Sequence, residues 1–136
     1  MRSSSPEQTA AAAEELAARL RPGDVVLVRG EMGSGKTTFV RGACRALGVT
    51  GPVTSPTFTI GHLYEAPGVR IAHLDLHRLA GLEDEDPALL ADYLDPQTIG
   101  FVEWPEIAAS ELVAAYEVLL RHAGGDEREL EVTACS

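Results

Sequence analysis

Two spacings of apolar residues organise the first third of the chain. Between residues 6 and 20, Ala13, Leu16, Ala17 and Leu20 recur three and four apart, the period of one helix face. Ser5-Pro6-Glu7-Gln8 supplies the start, with Ser5 as N-cap, Pro6 at the first helical position and Gln8 reaching back as in a capping box. Pro22-Gly23 supplies the stop, so a helix is predicted from about Pro6 to Leu20. Val25-Val26-Leu27-Val28 then breaks the rhythm with an unbroken apolar run, which fits a strand buried on both faces of a parallel sheet. After a glycine-rich turn over Gly30 to Thr37, the residues Phe39, Val40, Ala43, Cys44 and Leu47 form a second helical face ending at Gly48. The order is strand, loop, helix.

Farther on the elements shorten. Thr50 to Thr57 sets Gly51, Pro52 and Pro56 among hydroxyl side chains, a composition that favours a stiffened irregular loop. Phe58 to Tyr64 and Val69 to Leu74 read as a hairpin across Ala66-Pro67-Gly68, its second strand ending in Asp75. Glu83-Asp84-Glu85-Asp86 suits either a solvated surface or the N-terminus of a short helix around Ala88 to Leu94. Ile99-Gly100-Phe101-Val102 is another strand, ending in Glu103-Trp104. Val118 to His122 and Arg128 to Cys135 close the pattern as a hairpin over Gly124-Gly125, with apolar alternation at Leu130, Val132 and Ala134.

With 136 residues and no repeat or linker, the chain is expected to be a single domain over residues 1–136. Cys44 and Cys135 lack metal spacing, and nothing near Met1 resembles a secretory signal, so a reducing cytoplasm is the expected location. No apolar run approaches the roughly 18–20 residues of a membrane span, and a net charge of −10 argues against nucleic acid as a stand-alone partner. The charge is uneven. Residues 1–45 hold seven basic and five acidic side chains, while residues 46–136 hold four and sixteen. Lys36 is the only lysine in the protein, which suggests a task that arginine does not perform.

That lysine lies in Gly30-Glu31-Met32-Gly33-Ser34-Gly35-Lys36-Thr37, which matches the phosphate-loop pattern G-x-x-x-x-G-K-[ST] at every fixed position. Between a buried strand and an amphipathic helix, such a loop can cup phosphates with backbone amides, aided by the helix N-terminus. Lys36 then neutralises the outer phosphates and Thr37 offers its hydroxyl to Mg²⁺. A phosphate-bound metal needs a further carboxylate at the carboxyl end of a neighbouring strand. Asp75 and Glu103 are the candidates: one to hold the metal, the other to orient the attacking water, in either assignment. Together these elements predict an α/β, P-loop NTPase-like three-layer fold, a mostly parallel central sheet with antiparallel hairpin additions.

Other chemistry has less support. Thr54-Ser55-Pro56-Thr57 fits either a switch loop sensing the terminal phosphate or a plain turn. His62, His73, His77 and His122 show no metal spacing, so surface or packing roles are expected. Ser34 and Ser55 lack the G-x-S-x-G setting of acyl transfer. With no lysine for an N-K-x-D guanine-reading motif, adenine is favoured over guanine. Only Arg70, Arg78, Arg121 and Arg128 lie beyond residue 45, few for a kinase lid or a cis arginine finger, so a hydrolase slow on its own is expected. A small-molecule kinase and a nucleotide-gated binding module stand as alternatives.

Several segments together resemble one family, the bacterial TsaE (YjeE) ATPases of tRNA threonylcarbamoyladenosine (t6A) biosynthesis. The resemblance runs through Pro22-Gly23-Asp24, the phosphate loop and Thr38-Phe39-Val40-Arg41-Gly42, then Val53-Thr54-Ser55-Pro56-Thr57-Phe58, His73-Leu74-Asp75-Leu76-His77-Arg78-Leu79 and Val102-Glu103-Trp104-Pro105-Glu106. The phosphate loop is widespread; the ordered set of S-P-T-F, H-x-D-L-x-R-L and V-E-W-P is far more specific. The resemblance implies ATP hydrolysis that resets a complex of the TsaB and TsaD proteins, with tRNA involved indirectly. By motif match it implies that Gly33, Ser34, Gly35, Lys36, Thr37 and Thr38 hold the phosphates. Thr37 and Glu103 would hold Mg²⁺, Asp75 and Thr57 would belong to the catalytic and switch machinery, and Trp104 would pack nearby. Thr9 and Arg128 would lie near the adenine or ribose. Two departures stand out: His77 occupies a position where the family commonly has Tyr, and only five residues precede the first helix, which predicts a short or missing N-terminal strand.

Overall fold

A computed structural model describes residues 2–31, 34–51, 61–76, 93–103 and 113–135. Its elements are β1 (Arg2–Ser3), α1 (Pro6–Ala17), β2 (Val25–Gly30), α2 (Lys36–Ala46), β3 (Gly61–Ala66), β4 (Val69–Asp75), β5 (Thr98–Glu103), β6 (Tyr116–His122) and β7 (Arg128–Ala134). The strands form one sheet in the order β1-β7-β6-β2-β5-β4-β3. Its four central strands, β6, β2, β5 and β4, run parallel, and both flanks are antiparallel. The expected parallel centre with hairpin additions is therefore present. The short N-terminal strand is also there, as Arg2 and Ser3 paired with Glu129 and Arg128.

Local chemistry sets the helix ends. The Ser5 side chain accepts from the Gln8 amide, capping α1 as expected, but the Gln8 side chain bonds the Ser4 amide rather than that of Ser5. The helix proper stops at Ala17 instead of Leu20, because the Arg19 and Leu20 amides bond back only three residues, to Leu16 and Ala17, in a tighter final turn. α2 ends on Gly48 at φ +108°, with the Gly48 amide on the Arg45 carbonyl and the Val49 amide on that of Cys44, a Schellman arrangement that suits glycine. β3 reaches Ala66, two residues past its predicted end, and residues 58–60 of the predicted strand lie outside the described set. Ahead of β5, the Asp95 carboxylate accepts from the Thr98 hydroxyl and the Gln97 amide, which holds its pKa below the usual carboxylate value.

Both helices pack on the same face of the sheet. Ala12, Ala13 and Leu16 of α1 and Phe39, Val40 and Ala43 of α2 join Val26, Val28, Ile71, Ile99, Phe101 and Val118 in the larger core. Phe39 is fully buried there, a contribution of about 2–3 kcal/mol from apolar burial. The helices also approach one another closely: a Cβ on Gly42 would lie 2.8 Å from the Ala10 Cα. The opposite face carries Val25, Leu27, Leu74, Leu76 and Val102, covered by Tyr93, Leu94 and Ala114. Gly100 leaves room for Leu94, whose side chain would stand 2.3 Å from an added Cβ. Of the predicted helix around Ala88 to Leu94, residues 88–92 lie outside the described set, as does the acidic stretch before them. Among the described residues, no helix is long and apolar enough to cross a membrane.

Candidate functional site

β2 delivers the chain to the phosphate loop at the carboxyl end of the parallel strands. A Cβ on Gly30 would sit 2.6 Å from the Leu120 carbonyl on β6 and 2.5 Å from Ser34 Oγ, so the close approach requires glycine. The loop is tied to the sheet through Glu31, whose carboxylate accepts from the His122 amide (3.2 Å) and whose carbonyl accepts from the Ser34 amide (3.2 Å). Lys36, only 6% exposed, curls back so that Nζ donates to the carbonyls of Gly30 and Glu31. Gly35 serves as the N-cap of α2 at φ +100°, again a conformation that favours glycine. No side chain caps this helix and its first turn has no acidic residue, so among the described residues no side-chain anion offsets its partial positive charge, a setting that suits an anion. Ser34 Oγ, buried at the same place, has no hydrogen-bond partner among the described residues. Thr37 and Thr38 follow in the first turn, both half-buried; Gly33 lies outside the described set.

The two predicted carboxylates meet beside this loop. Glu103 ends β5 in register with Val28 of β2 on one side and Asp75 of β4 on the other, so both acids share the end of the sheet from which the loop leaves. They differ in setting. Glu103 is 3% exposed, and its Oε2 is hydrogen-bonded to Nε2 of His73, itself fully buried on β4. Asp75 is half-buried. His73 is packed, as one of its two expected roles has it, and its bond to Glu103 is a polar contact that the expectation did not contain. It lies two residues before Asp75, hence on the same strand face, and that spacing was the available signal. Thr57, Trp104 and His77 lie outside the described residues.

On the other side of the loop, one small cleft is lined by Ser5, Pro6, Thr9, Gly35, Thr38, Asp126 and Arg128. It unites Thr9 and Arg128, far apart in sequence, with two phosphate-loop residues. The Thr9 hydroxyl lies 2.7 Å from Ser3 Oγ, which donates to the Ser5 carbonyl at 2.8 Å. A hydroxyl has one proton, so Thr9 must donate to Ser3 and keeps only lone pairs for another partner. Arg128 Nη1 donates to the carbonyls of Gly125 (2.8 Å) and Glu127 (2.9 Å), which anchors the guanidinium at the rim. Asp126 and Ser5 carry no sequence signal for this cleft; the β6–β7 turn and the first residues of the chain bring them in.

The donor set fits a phosphate chain better than a metal held by protein alone. Among the described residues no group of three or more His, Cys, Asp or Glu could hold an ion. An unpartnered Ser34 hydroxyl and an α2 start with no side-chain cap suit phosphate oxygens, and the strand-end carboxylates suit a phosphate-borne, mostly hydrated Mg²⁺.

Parallel centre, glycine loop and strand-end acids define a P-loop-type α/β protein. Residues 3–130 match the family model described as Threonylcarbamoyl adenosine biosynthesis protein TsaE, and the chain belongs to that family. It is 39% identical to the tRNA threonylcarbamoyladenosine biosynthesis protein TsaE of Bacillus subtilis over 135 residues, covering 98% of this chain and 84% of the relative. It is 43% identical to the protein of that name from Streptomyces coelicolor over 99 residues, 71% of this chain and 67% of the relative. The crystal structure of Bacillus subtilis YdiB superposes with a TM-score of 0.80 at 34% identity, over 98% of this chain and 83% of that one.

Proposed function

We propose that this protein binds ATP with Mg²⁺ and hydrolyses it slowly on its own, driving turnover of a TsaB–TsaD complex in tRNA t6A formation. The observation that carries the reading is the register that sets Glu103 between Val28 and Asp75, beside the loop that holds the only lysine. Its place in t6A formation follows from the family and from the names of its relatives. Two free thiols suit a reducing cytoplasm.

The residues divide the work by exposure. Amides of the loop and of the α2 N-terminus bind the phosphates, and Lys36 exchanges the Gly30 and Glu31 carbonyls for outer phosphate oxygens. Thr37 and the buried Glu103 would hold Mg²⁺, which would supply positive charge to the phosphates as negative charge develops there. Asp75, less enclosed than Glu103, orients the attacking water. Thr9 and Arg128 receive the nucleoside: the acceptor-only Thr9 oxygen suits an amino group or a hydroxyl, and Arg128 adds charge at the rim. Thr57 acts as the switch residue.

Lys36→Ala tests this directly. ATP–Mg²⁺ binding measured by calorimetry should fall at least about a hundredfold, the scale of a lost charge-assisted phosphate contact. Binding equal to the unmodified protein would refute the site. Phosphate release should rise when TsaB and TsaD are added; label transferred from the γ-phosphate to a metabolite would identify a kinase instead.

A further inference from the structure

We propose that His73 is a positioning residue: its Nε2–H holds one oxygen of the Glu103 carboxylate, leaving the other to take the Mg²⁺ that arrives on the nucleotide. The inference rests on Glu103 being the metal carboxylate, as in the reading above.

The geometry is specific. His73 pairs with Phe101 across β4 and β5, so it stands diagonal to Glu103 on the same face of adjacent parallel strands. Its ring is fully buried and Glu103 is 3% exposed. A carboxylate so enclosed has few waters to fix its rotamer, and the imidazole N–H does so instead. Glu103 makes no second side-chain hydrogen bond among the described residues, so its Oε1 is uncommitted. At the far side of the ring, Nδ1 has no partner among the described residues either. The carboxylate contact is thus what the histidine's polarity serves: an apolar side chain would fill the same space without leaving a buried ring nitrogen unpaired. Partners that orient a metal's ligands typically alter metal affinity 10- to 100-fold when removed.

Glutamine and asparagine separate positioning from packing. Gln places its amide nitrogen near the Nε2 site, whereas Asn reaches only the Nδ1 site. The full chain and its His73→Gln, His73→Asn, His73→Leu and Glu103→Gln variants would be titrated with ATP by calorimetry, across a series of Mg²⁺ concentrations and in EDTA. His73→Asn and His73→Leu should raise the Mg²⁺ concentration giving half-maximal enhancement of ATP binding about tenfold or more, with metal-free ATP affinity unchanged. His73→Gln should stay close to the unmodified protein. If His73→Leu fails to fold, the Asn and Gln pair decides. Asn and Gln shifting together, or neither shifting, overturns the proposal. A shift in Glu103→Gln without one in His73→Asn sinks the proposal alone; no shift in Glu103→Gln removes the metal reading and the proposal with it.

Discussion

The two walls of the candidate site are built differently. On one side His73, Asp75 and Glu103 come from adjacent parallel strands and are held by sheet register, with His73 and Glu103 almost sealed from water. On the other, Ser5, Pro6, Thr9, Asp126 and Arg128 come from the chain start and the β6–β7 turn, and Asp126 is exposed. Electrostatic work on a reacting group needs fixed dipoles in a dry setting, which a sheet supplies. Recognition of a nucleoside tolerates a wetter, looser rim. The difference teaches that strand register fixes one wall and turns fix the other; on the proposed function, chemistry would fall to the first and recognition to the second, with Gly35 and Thr38 lining the cleft on the rim side.

Substitutions can break that division. Asp75→Asn should reduce phosphate release about a hundredfold or more, the usual scale for a positioned proton acceptor, and leave ATP affinity in place. Weakened binding with turnover intact would mean the strand-end wall recognises instead of reacts. Gly42→Val forces a side chain against Ala10, where a Cβ would lie 2.8 Å from its Cα, and should cost roughly 1–3 kcal/mol of stability by overpacking. Urea unfolding reads that loss; an unchanged midpoint would show that α1 can move away. Arg128→Ala should weaken ATP binding about fivefold, more at low salt than at high, since exposed ion pairs contribute about 1 kcal/mol or less. A loss as large as that of Lys36→Ala would make the rim an equal partner of the loop. The smallest effect concerns thiols. Burial pushes Cys44 up to about 12, while Cys135 is exposed, so iodoacetamide should label Cys135 alone in the folded protein. Equal labelling would reveal opening of the helical layer.

The strand-end wall was legible because its signals are local. An apolar run followed by an acid marks a strand's carboxyl end, as at Leu74-Asp75 and Val102-Glu103, and G-x-x-x-x-G-K-T fixes the loop between strand and helix. What no local pattern contains is the order of the strands: that β5 inserts between β2 and β4 is decided by packing, and only that order makes Asp75 and Glu103 neighbours. The bond from His73 to Glu103 is equally non-local, joining residues 30 apart in sequence. The rim was legible only through family likeness at Thr9 and Arg128. Asp126 was silent, because an acid in a Gly-Gly turn looks the same whether it faces solvent or a ligand. The end of α1 at Ala17 was missed since the i−3 bonds of Arg19 and Leu20 continue the helical curl without its period.

Lys36 bears on how the loop keeps its shape. Its ammonium is nearly enclosed yet donates to two carbonyls, so the charge is satisfied within the chain and staples the start of α2 to the end of β2. On the proposed function a triphosphate would compete with those carbonyls, and the heat released on mixing would report an exchange of bonds instead of a simple gain.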